Sequence, residues 1–297
     1  MKSISKLGED LPPELREIFE RNKGFVPDID SKNAEKPAKA GSIGPASKKL
    51  AEINKGLGLG MSFIANVLAR TSIFAPAEKT KKREKVEIEK AGQGYIISIS
   101  GEQLDEFDRD VFLVAIQLFM SAGIPPGSPF KISFRPFLTL LGRSYGSNNI
   151  KSVTESLHRM ADIRIKIRSN PSSKRKERYT GSLLSVYTVS DDSSDDSKNY
   201  VAFSISADII ANMFGDYTRI PMGERLALKG RFSQLAKWLD TFIRSHEFVM
   251  DISLKTYYNY VYNDNNPTQD NLRWFRRAVK TALELLKSNG NILLYRV

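Results

Sequence analysis

Cysteine is absent from the 297-residue chain, and histidine occurs only at His158 and His246. Without cysteine the chain has no disulfides, no thiolate zinc ligands and no cysteine nucleophile. Two histidines are too few for a multi-histidine metal site. We therefore expect no bound metal and no other cofactor.

Long apolar runs are also missing from the sequence. The most apolar windows, Leu57–Ala69 and Val111–Ile124, are shorter than the roughly 18 to 20 residues that a membrane span requires. The N-terminal residues lack the apolar core of a secretory signal. These observations predict a cytoplasmic protein without a membrane partner.

Catalytic signatures are scarce as well. Four clustered tyrosines suggest the nucleophile of a strand-nicking enzyme, but such phosphoryl transfer needs a metal or other activation, and no histidine cluster is there to hold a metal. The tyrosines are Tyr257, Tyr258, Tyr260 and Tyr262. We predict no enzymatic activity and no catalytic residues.

Positive charge is what the sequence has in excess. Its 45 Lys and Arg residues against 34 Asp and Glu residues give a net charge of +11. A polyanionic partner, nucleic acid first, suits this balance. Charge alone leaves open, with equal weight, a basic protein that binds no nucleic acid.

The order of predicted elements suggests two similar halves after an N-terminal extension. Residues 1–71 contain a Pro- and Gly-rich linker at Val26–Ser47 and a helical patch at Lys48–Ala69. In the first half the predicted elements are a strand at Tyr95–Ser100, a helix at Leu104–Ala122, a strand at 130–134, helices at 135–142 and Asn148–Ala161, and a ribbon of strands at 163–167, 182–189 and 200–206.

The second half repeats the order of helices followed by strands. Its predicted elements are helices at Ala207–Phe214 and Phe232–Arg244, a strand at Phe248–Ile252, helices at Leu254–Tyr260 and Asn271–Lys287, and a strand at Asn291–Arg296. Helix, turn, helix and ribbon is the order of a winged helix. We therefore predict an α+β fold with two tandem winged-helix domains, residues 72–206 and 207–297, after a partly disordered N-terminal extension, residues 1–71.

The C-terminal helix is predicted to read DNA, because its apolar and basic residues fall on different arcs. Arginine and lysine can hydrogen-bond guanine edges in the major groove, and asparagine can contact adenine. We expect Arg273, Arg276 and Arg277 to contact bases, with Asn271, Lys280 and Lys287 in support. A merely solvated basic face is the alternative, which the preceding helix and turn make less favourable.

The corresponding helix of the first half has a more mixed exposed face, with Asn148, Lys151, Ser152 and Arg159 as its DNA candidates. A basic strand and hairpin tip follow it. We expect phosphate contacts from Arg164, Lys166, Lys174, Arg175, Lys176 and Arg178. The alternative is a soluble loop with a cluster of like charges.

Four segments resemble the TrfA family of plasmid replication initiators. They are RTSIF at Arg70–Phe74, GEQLDEFDRDVFLVAI in the first helix, RLALKGRFSQLAKWLDTFIRSH at Arg225–His246, and the tail DNLRWFRRAVKTALELLKSNG. The resemblance implies a bacterial initiator that binds repeated origin sites (iterons) in double-stranded DNA and opens an adjacent A/T-rich duplex, with contacts to its single strands. It also implies the host replicative helicase and host initiator as partners, and a homodimer through the first winged-helix domain.

Two further functions stay open from the sequence alone. A transcriptional repressor that binds an operator would use the same winged-helix contacts. A structural or RNA-binding protein would instead present aromatic stacking surfaces, which the basic C-terminal helix makes less favourable.

Overall fold

A computed structural model gives the fold of the chain and describes residues 60–76, 85–92, 95–121, 127–169, 178–190, 199–206, 209, 217–246, 252–262, 264 and 266–291. Helices and small sheets are mixed, so the predicted α+β class is confirmed. The described apolar side chains form two separate clusters, one from Ile64 to Met222 and the other from Leu228 to Leu286.

The first core surrounds a buried helix, whose apolar residues are inaccessible on nearly every side. Its helices are α1 (Asn66–Ala69), α2 (Glu106–Ser121), α3 (Phe134–Leu140), α4 (Ser147–Asp162) and α5 (Met222–Ala227). Its strands are β1 (Met61–Ala65), β2 (Phe74–Ala75), β3 (Lys85–Gly92), β4 (Tyr95–Glu102), β5 (Leu104–Asp105), β6 (Phe130–Ser133), β7 (Arg164–Ser169), β8 (Arg178–Gly181), β9 (Leu184–Ser190), β10 (Tyr200–Ile205) and β11 (Tyr217–Pro221). Residues 111–119 of helix α2 are buried on every side and apolar apart from Gln117, whereas the N-terminal part of the helix buries the charged residues Glu106, Asp108, Arg109 and Asp110.

The described strands form four small sheets. One has the order β6-β10-β9 and a second the order β3-β4-β7-β8, both antiparallel. Strand β1 pairs antiparallel with β11, and β2 pairs parallel with β5. Apolar and basic residues alternate along β7 of the second sheet, so that Ile165 and Ile167 are buried on one face while Arg164 and Lys166 are exposed on the other.

Two local predictions need correction, and one strand was not predicted. Residues 61–65 form strand β1 and not part of a helix, because pairing with β11 overrides the local pattern. The charged segment 85–92 is strand β3, whose pairing with β4 was not predicted. The expected ribbon is divided, since β7 joins β4 and β8 while β9 and β10 pair with β6.

The second core consists of three helices in the part of the chain that is described. They are α6 (Ser233–Arg244), α7 (Leu254–Tyr262) and α8 (Gln269–Ser288). Trp238 of α6 is fully buried and stacks on Phe242 with ring centroids 5.0 Å apart. All three helices agree with their predicted positions to within about two residues, because each has a clear apolar stripe.

Buried charges connect the two cores. Arg225 of α5 is fully buried and donates to Glu106 at 2.5 Å and to Asp110 at 2.7 Å, both on α2. It also donates to Thr241 Oγ1 of α6 at 2.9 Å, and Lys237 of α6 forms an ion pair with Asp110. Burial acts to lower the pKa of Arg225, but the carboxylates of Asp110 and Glu106 outweigh it and raise that pKa. Arg225 therefore stays charged, and this buried charge network links α2, α5 and α6.

Several predictions fall wholly or largely on residues outside those described. They are the linker at Val26–Ser47, the helix at Ala207–Phe214, the strands at Phe248–Ile252 and Asn291–Arg296, and the hairpin tip with Lys174, Arg175 and Lys176. The three-part division of the chain also stays a prediction. Residues on both sides of its limits, Ile64 before position 72 and Ile220 after position 206, belong to the first core.

Candidate nucleic-acid interface

Helix α8 begins with a capped first turn after a short polar connection from α7. Thr268 precedes the helix in an extended conformation, and its side-chain oxygen accepts from the backbone N–H of Asn271 at 3.2 Å. This contact satisfies one of the N–H groups that a helix start leaves without a partner. The start of α8 is thus fixed by its own sequence.

The apolar side of α8 packs against α6 and α7. Phe275 lies edge-on to Tyr258 and Tyr262, at centroid distances of 5.2 and 5.8 Å. Farther along the helix the buried residues are Ala278, Val279, Ala282, Leu283 and Leu286. The predicted apolar stripe is therefore the packed side, with Leu272 at its half-buried margin.

The opposite side of α8 presents the predicted DNA-contact residues to solvent. All six are exposed, namely Asn271, Arg273, Arg276, Arg277, Lys280 and Lys287. Arg273 lies 3.4 Å from Asp270, but both side chains are largely in solvent, where such pairs stabilise little. None of the other four cations has an ion pair with a described residue. The structure therefore brings together one exposed basic stripe, interrupted by Glu284.

Helix α4 presents a smaller polar surface. Asn148 and Lys151 are exposed, and Ser152 donates back to the Asn148 carbonyl at 2.8 Å. Arg159 points elsewhere: its guanidinium lies 2.7 Å from Asp108 of α2, and only 14% of its side chain is exposed. The structure thus separates Arg159 from the other three candidates, because this arginine holds α4 against α2.

The predicted phosphate contacts after α4 lie on the second sheet. Arg164 and Lys166 are exposed on one face of β7, opposite its buried isoleucines. Arg178 lies on β8, in register with Arg168 of β7. These residues belong to a sheet separate from the strands that follow β8.

A second group of exposed cations, not predicted from the sequence, lies around the α3–α4 turn. Lys131, Arg135 and Arg143 are exposed, and each lies over an aromatic ring. Arg143 also donates to Asn149 Oδ1 at 3.1 Å, at the start of α4. The three cations are separated in sequence by mostly apolar residues, so no charge run could reveal them.

Metal sites, membrane spans and activated tyrosines would each leave their own features in a structure. Over the described ranges, no cluster of His, Asp and Glu could hold a metal ion, and no helix is long and apolar enough to cross a membrane. Burial raises the pKa of Tyr257, and burial together with Asp264 raises that of Tyr258. A raised pKa disfavours the ionised form that a tyrosine nucleophile needs.

Comparisons with known proteins give structural likeness only. No family model matches the chain, and no curated protein matches it. The fold is similar to a crystal structure of selenomethionine derivatives of domains 2 and 3 of RctB, with a TM-score of 0.47 and 13% identity over 75% of this chain and 83% of that chain. A second RctB domains 2-3 structure gives a TM-score of 0.45 at the same identity and the same coverage. Both TM-scores are below 0.5.

Proposed function

We propose that this protein is a plasmid replication initiator that binds double-stranded DNA through two winged-helix units and has no enzymatic activity. The observation that carries the proposal is the exposed basic stripe of α8, on a helix whose other side is fully packed. An α-helix of this kind fits the major groove, where arginines recognise guanine and neighbouring cations meet phosphates.

Element order supports the winged-helix assignment of the first unit. The order of that fold is followed by six elements, namely α2, β6, α3, α4, β9 and β10. Strand β6 pairs with β10. Strands β7 and β8 are then an insertion between α4 and the ribbon. In the second unit α6, α7 and α8 supply the helices, and the predicted strands lie outside the described residues.

The resemblance of the sequence to the TrfA family supports the initiator role over the repressor role. On that basis the DNA sites are iterons, binding promotes opening of an adjacent A/T-rich duplex, and the host replicative helicase is recruited. A cytoplasmic location and a homodimer through the first unit belong to the same proposal.

The first test measures binding of the purified full chain to duplex DNA from its own locus and to unrelated duplex, at two salt concentrations. Changing Arg273, Arg276 and Arg277 together to alanine should abolish the preference, because each good bidentate contact discriminates by about 1 to 3 kcal/mol. The matched control changes the same three arginines to lysine. It should keep most of the salt dependence but lose part of the preference, since lysine lacks the planar fork of arginine.

An unchanged preference in the alanine variant would overturn base reading by α8. The initiator role has its own test: a plasmid that carries the gene and its flanking repeats should fail to replicate when the gene is deleted. Continued replication with altered transcription of the locus would instead identify a repressor.

A further inference from the structure

The exposed cations around the α3–α4 turn share a feature, since each lies over an aromatic ring. Lys131 Nζ lies 3.5 Å from the centroid of the Tyr200 ring. Arg135 and Arg143 each lie 4.5 Å from a ring centroid, that of Tyr145 and that of Phe107 respectively. We name these three residues, Lys131, Arg135 and Arg143, the stacked cations.

The rings beneath the stacked cations are themselves held in place. Asn199 is buried and donates its side-chain amide to the Tyr145 hydroxyl at 2.7 Å. The carbonyl of Asn199 accepts from the backbone N–H of Phe134 at 3.1 Å, which ties the start of β10 to the start of α3. Tyr200 is the next residue, so the supports of Lys131 and Arg135 form one continuous network.

Arg143 extends this network to helix α4. It donates to Asn149 Oδ1, and the amide of Asn149 donates to the Ser144 carbonyl at 2.8 Å. This places Arg143 beside the first turn of α4, where its partner Asn149 directly follows the exposed Asn148. The stacked cations therefore run from β6 through α3 to the start of the helix that the proposed function places at the groove.

Stacking on a ring preorganises a cationic side chain for binding an anion. A cation over a ring is attracted by the negative face of the ring and loses rotamer freedom before any ligand arrives. Less conformational entropy is then lost on binding. Neither Lys131 nor Arg143 has a carboxylate partner among the described residues, so their charges remain available to an external anion.

We infer that the stacked cations Lys131, Arg135 and Arg143 are the main phosphate-binding surface of the first unit, where they grip the backbone of duplex DNA beside α4. This inference rests on the proposed DNA-binding function and deepens it. It assigns to the α3–α4 turn the role that the sequence had suggested for the basic segment after α4. Because the contacts are to phosphates, they fix the position of the first unit and carry no base preference.

The test measures the salt dependence of binding to site DNA for the full chain and for the variant Lys131→Gln, Arg135→Gln and Arg143→Gln. Each lost phosphate contact should reduce the slope of log K against log salt by about 0.9, so the triple variant should lose about 2.7. Between 50 and 200 mM salt, the wild type should therefore lose about 40-fold more affinity than the variant. The ratio of site to unrelated DNA binding should not change.

Two comparison variants sharpen the test. Arg219→Gln removes an exposed cation of β11, which belongs to a sheet separate from β6, and should leave the slope unchanged. Arg143→Gln alone should lower the slope by about 0.9. Tyr145→Leu removes the ring but keeps the charge of Arg135 and should weaken binding. Tyr145→Phe keeps the ring but loses the hydrogen bond from Asn199, so it should weaken binding less.

The outcomes separate this inference from the proposed function. Two results together would overturn the inference: the triple variant keeps the salt slope of the wild type, and an Arg164→Gln, Lys166→Gln variant has a reduced slope. They would place the phosphate surface on β7. Site preference in the wild type would still stand in that case. A wild type that binds all duplexes alike would instead contradict the proposed function itself.

Discussion

Helices α4 and α8 each follow a short helix and a turn, yet they expose different chemistry. Helix α8 presents five exposed cations with one interrupting glutamate, while the polar side of α4 mixes Asn148, Lys151, Ser152 and Glu155. The one arginine of α4 is used internally, in its ion pair with Asp108. A helix whose arginine holds the fold together has less to offer a base edge, so the two units differ in how they contact DNA under the proposed function.

The difference between the helices also extends to their supports. Helix α4 rests on α2 through Arg159 and Asp108, and α2 connects through the buried charge network to α6, on which α8 packs. The two candidate DNA helices are therefore joined inside the protein, by polar contacts from α4 to α6 and by apolar packing from α6 to α8. Substitutions at this connection should lower the stability of the fold more than substitutions on either exposed helix face.

Replacing Arg225 with methionine should produce the largest effect. Glu106 and Asp110 would be left in the interior with one partner fewer each, and breaking a buried pair in this way costs about 3 to 5 kcal/mol. Urea unfolding measures the loss. Arg277→Met, at an exposed position, is the control and should change stability by about 0.5 kcal/mol or less. A loss below about 1 kcal/mol for Arg225→Met would show that the network is dispensable.

Alanine at both Asn148 and Lys151 tests the lesser role of α4. We expect roughly a tenfold or smaller loss of affinity for site DNA and a slope lower by about 0.9, since one cation is removed. The three-arginine variant of α8 should lose much more of the site preference. Equal losses of preference from the two helices, measured on the same duplexes, would remove the distinction between them.

Glutamine at Glu284 should strengthen binding slightly. The carboxylate interrupts the basic stripe of α8, and its removal eliminates one repulsion of the DNA backbone. We expect a few-fold increase in affinity for unrelated duplex at low salt, which disappears at high salt as screening increases. Glu155→Gln on α4 serves as the matched comparison. A larger gain there than on α8 would place α4 closer to the phosphates.

The smallest predicted effect is a pH dependence at His246. Burial, together with the charge of Arg70, lowers the pKa of this histidine, although its Nδ1 lies 2.7 Å from the Phe242 carbonyl, an interaction that acts to raise it. The unfolded chain therefore takes up the proton first as the pH falls below the ordinary value of about 6.5. Stability should decline from pH 7 to pH 5.5 in the wild type and decline less in His246→Asn, as followed by thermal unfolding. An identical decline would exclude the histidine as its source.

Periodic apolar patterns were sufficient to predict most helices, as α4, α6, α7 and α8 show. The stripe of α8 specified both its packed side and its exposed side, because the spacing of Phe275, Val279 and Leu286 is a local property. Strand β3 also carried a local signal: Val86 and Ile88 alternate with charged residues. The density of charge concealed that alternation.

Long-range pairings were beyond such reasoning. Nothing near residues 61–65 indicates that they pair with β11, and nothing near β7 indicates that it pairs with β4. The same limit explains why Arg159 was placed on a DNA face, since Asp108 lies 51 residues away in sequence. The stacked cations depend on the rings of Phe107, Tyr145 and Tyr200, which only the tertiary structure places beneath them.

The pairing of β1 with β11 has a consequence for biosynthesis. Met61 is in register with Pro221, so the earliest strand described must wait for a partner 160 residues later in the chain. At a synthesis rate of about 5 to 20 residues per second, that delay is on the order of 8 to 32 seconds. During it β1, which carries the buried Ile64, lacks its partner strand, and an unpaired strand edge of this kind is a template for aggregation. The nascent chain should therefore depend on chaperones until residue 221 has emerged from the ribosome.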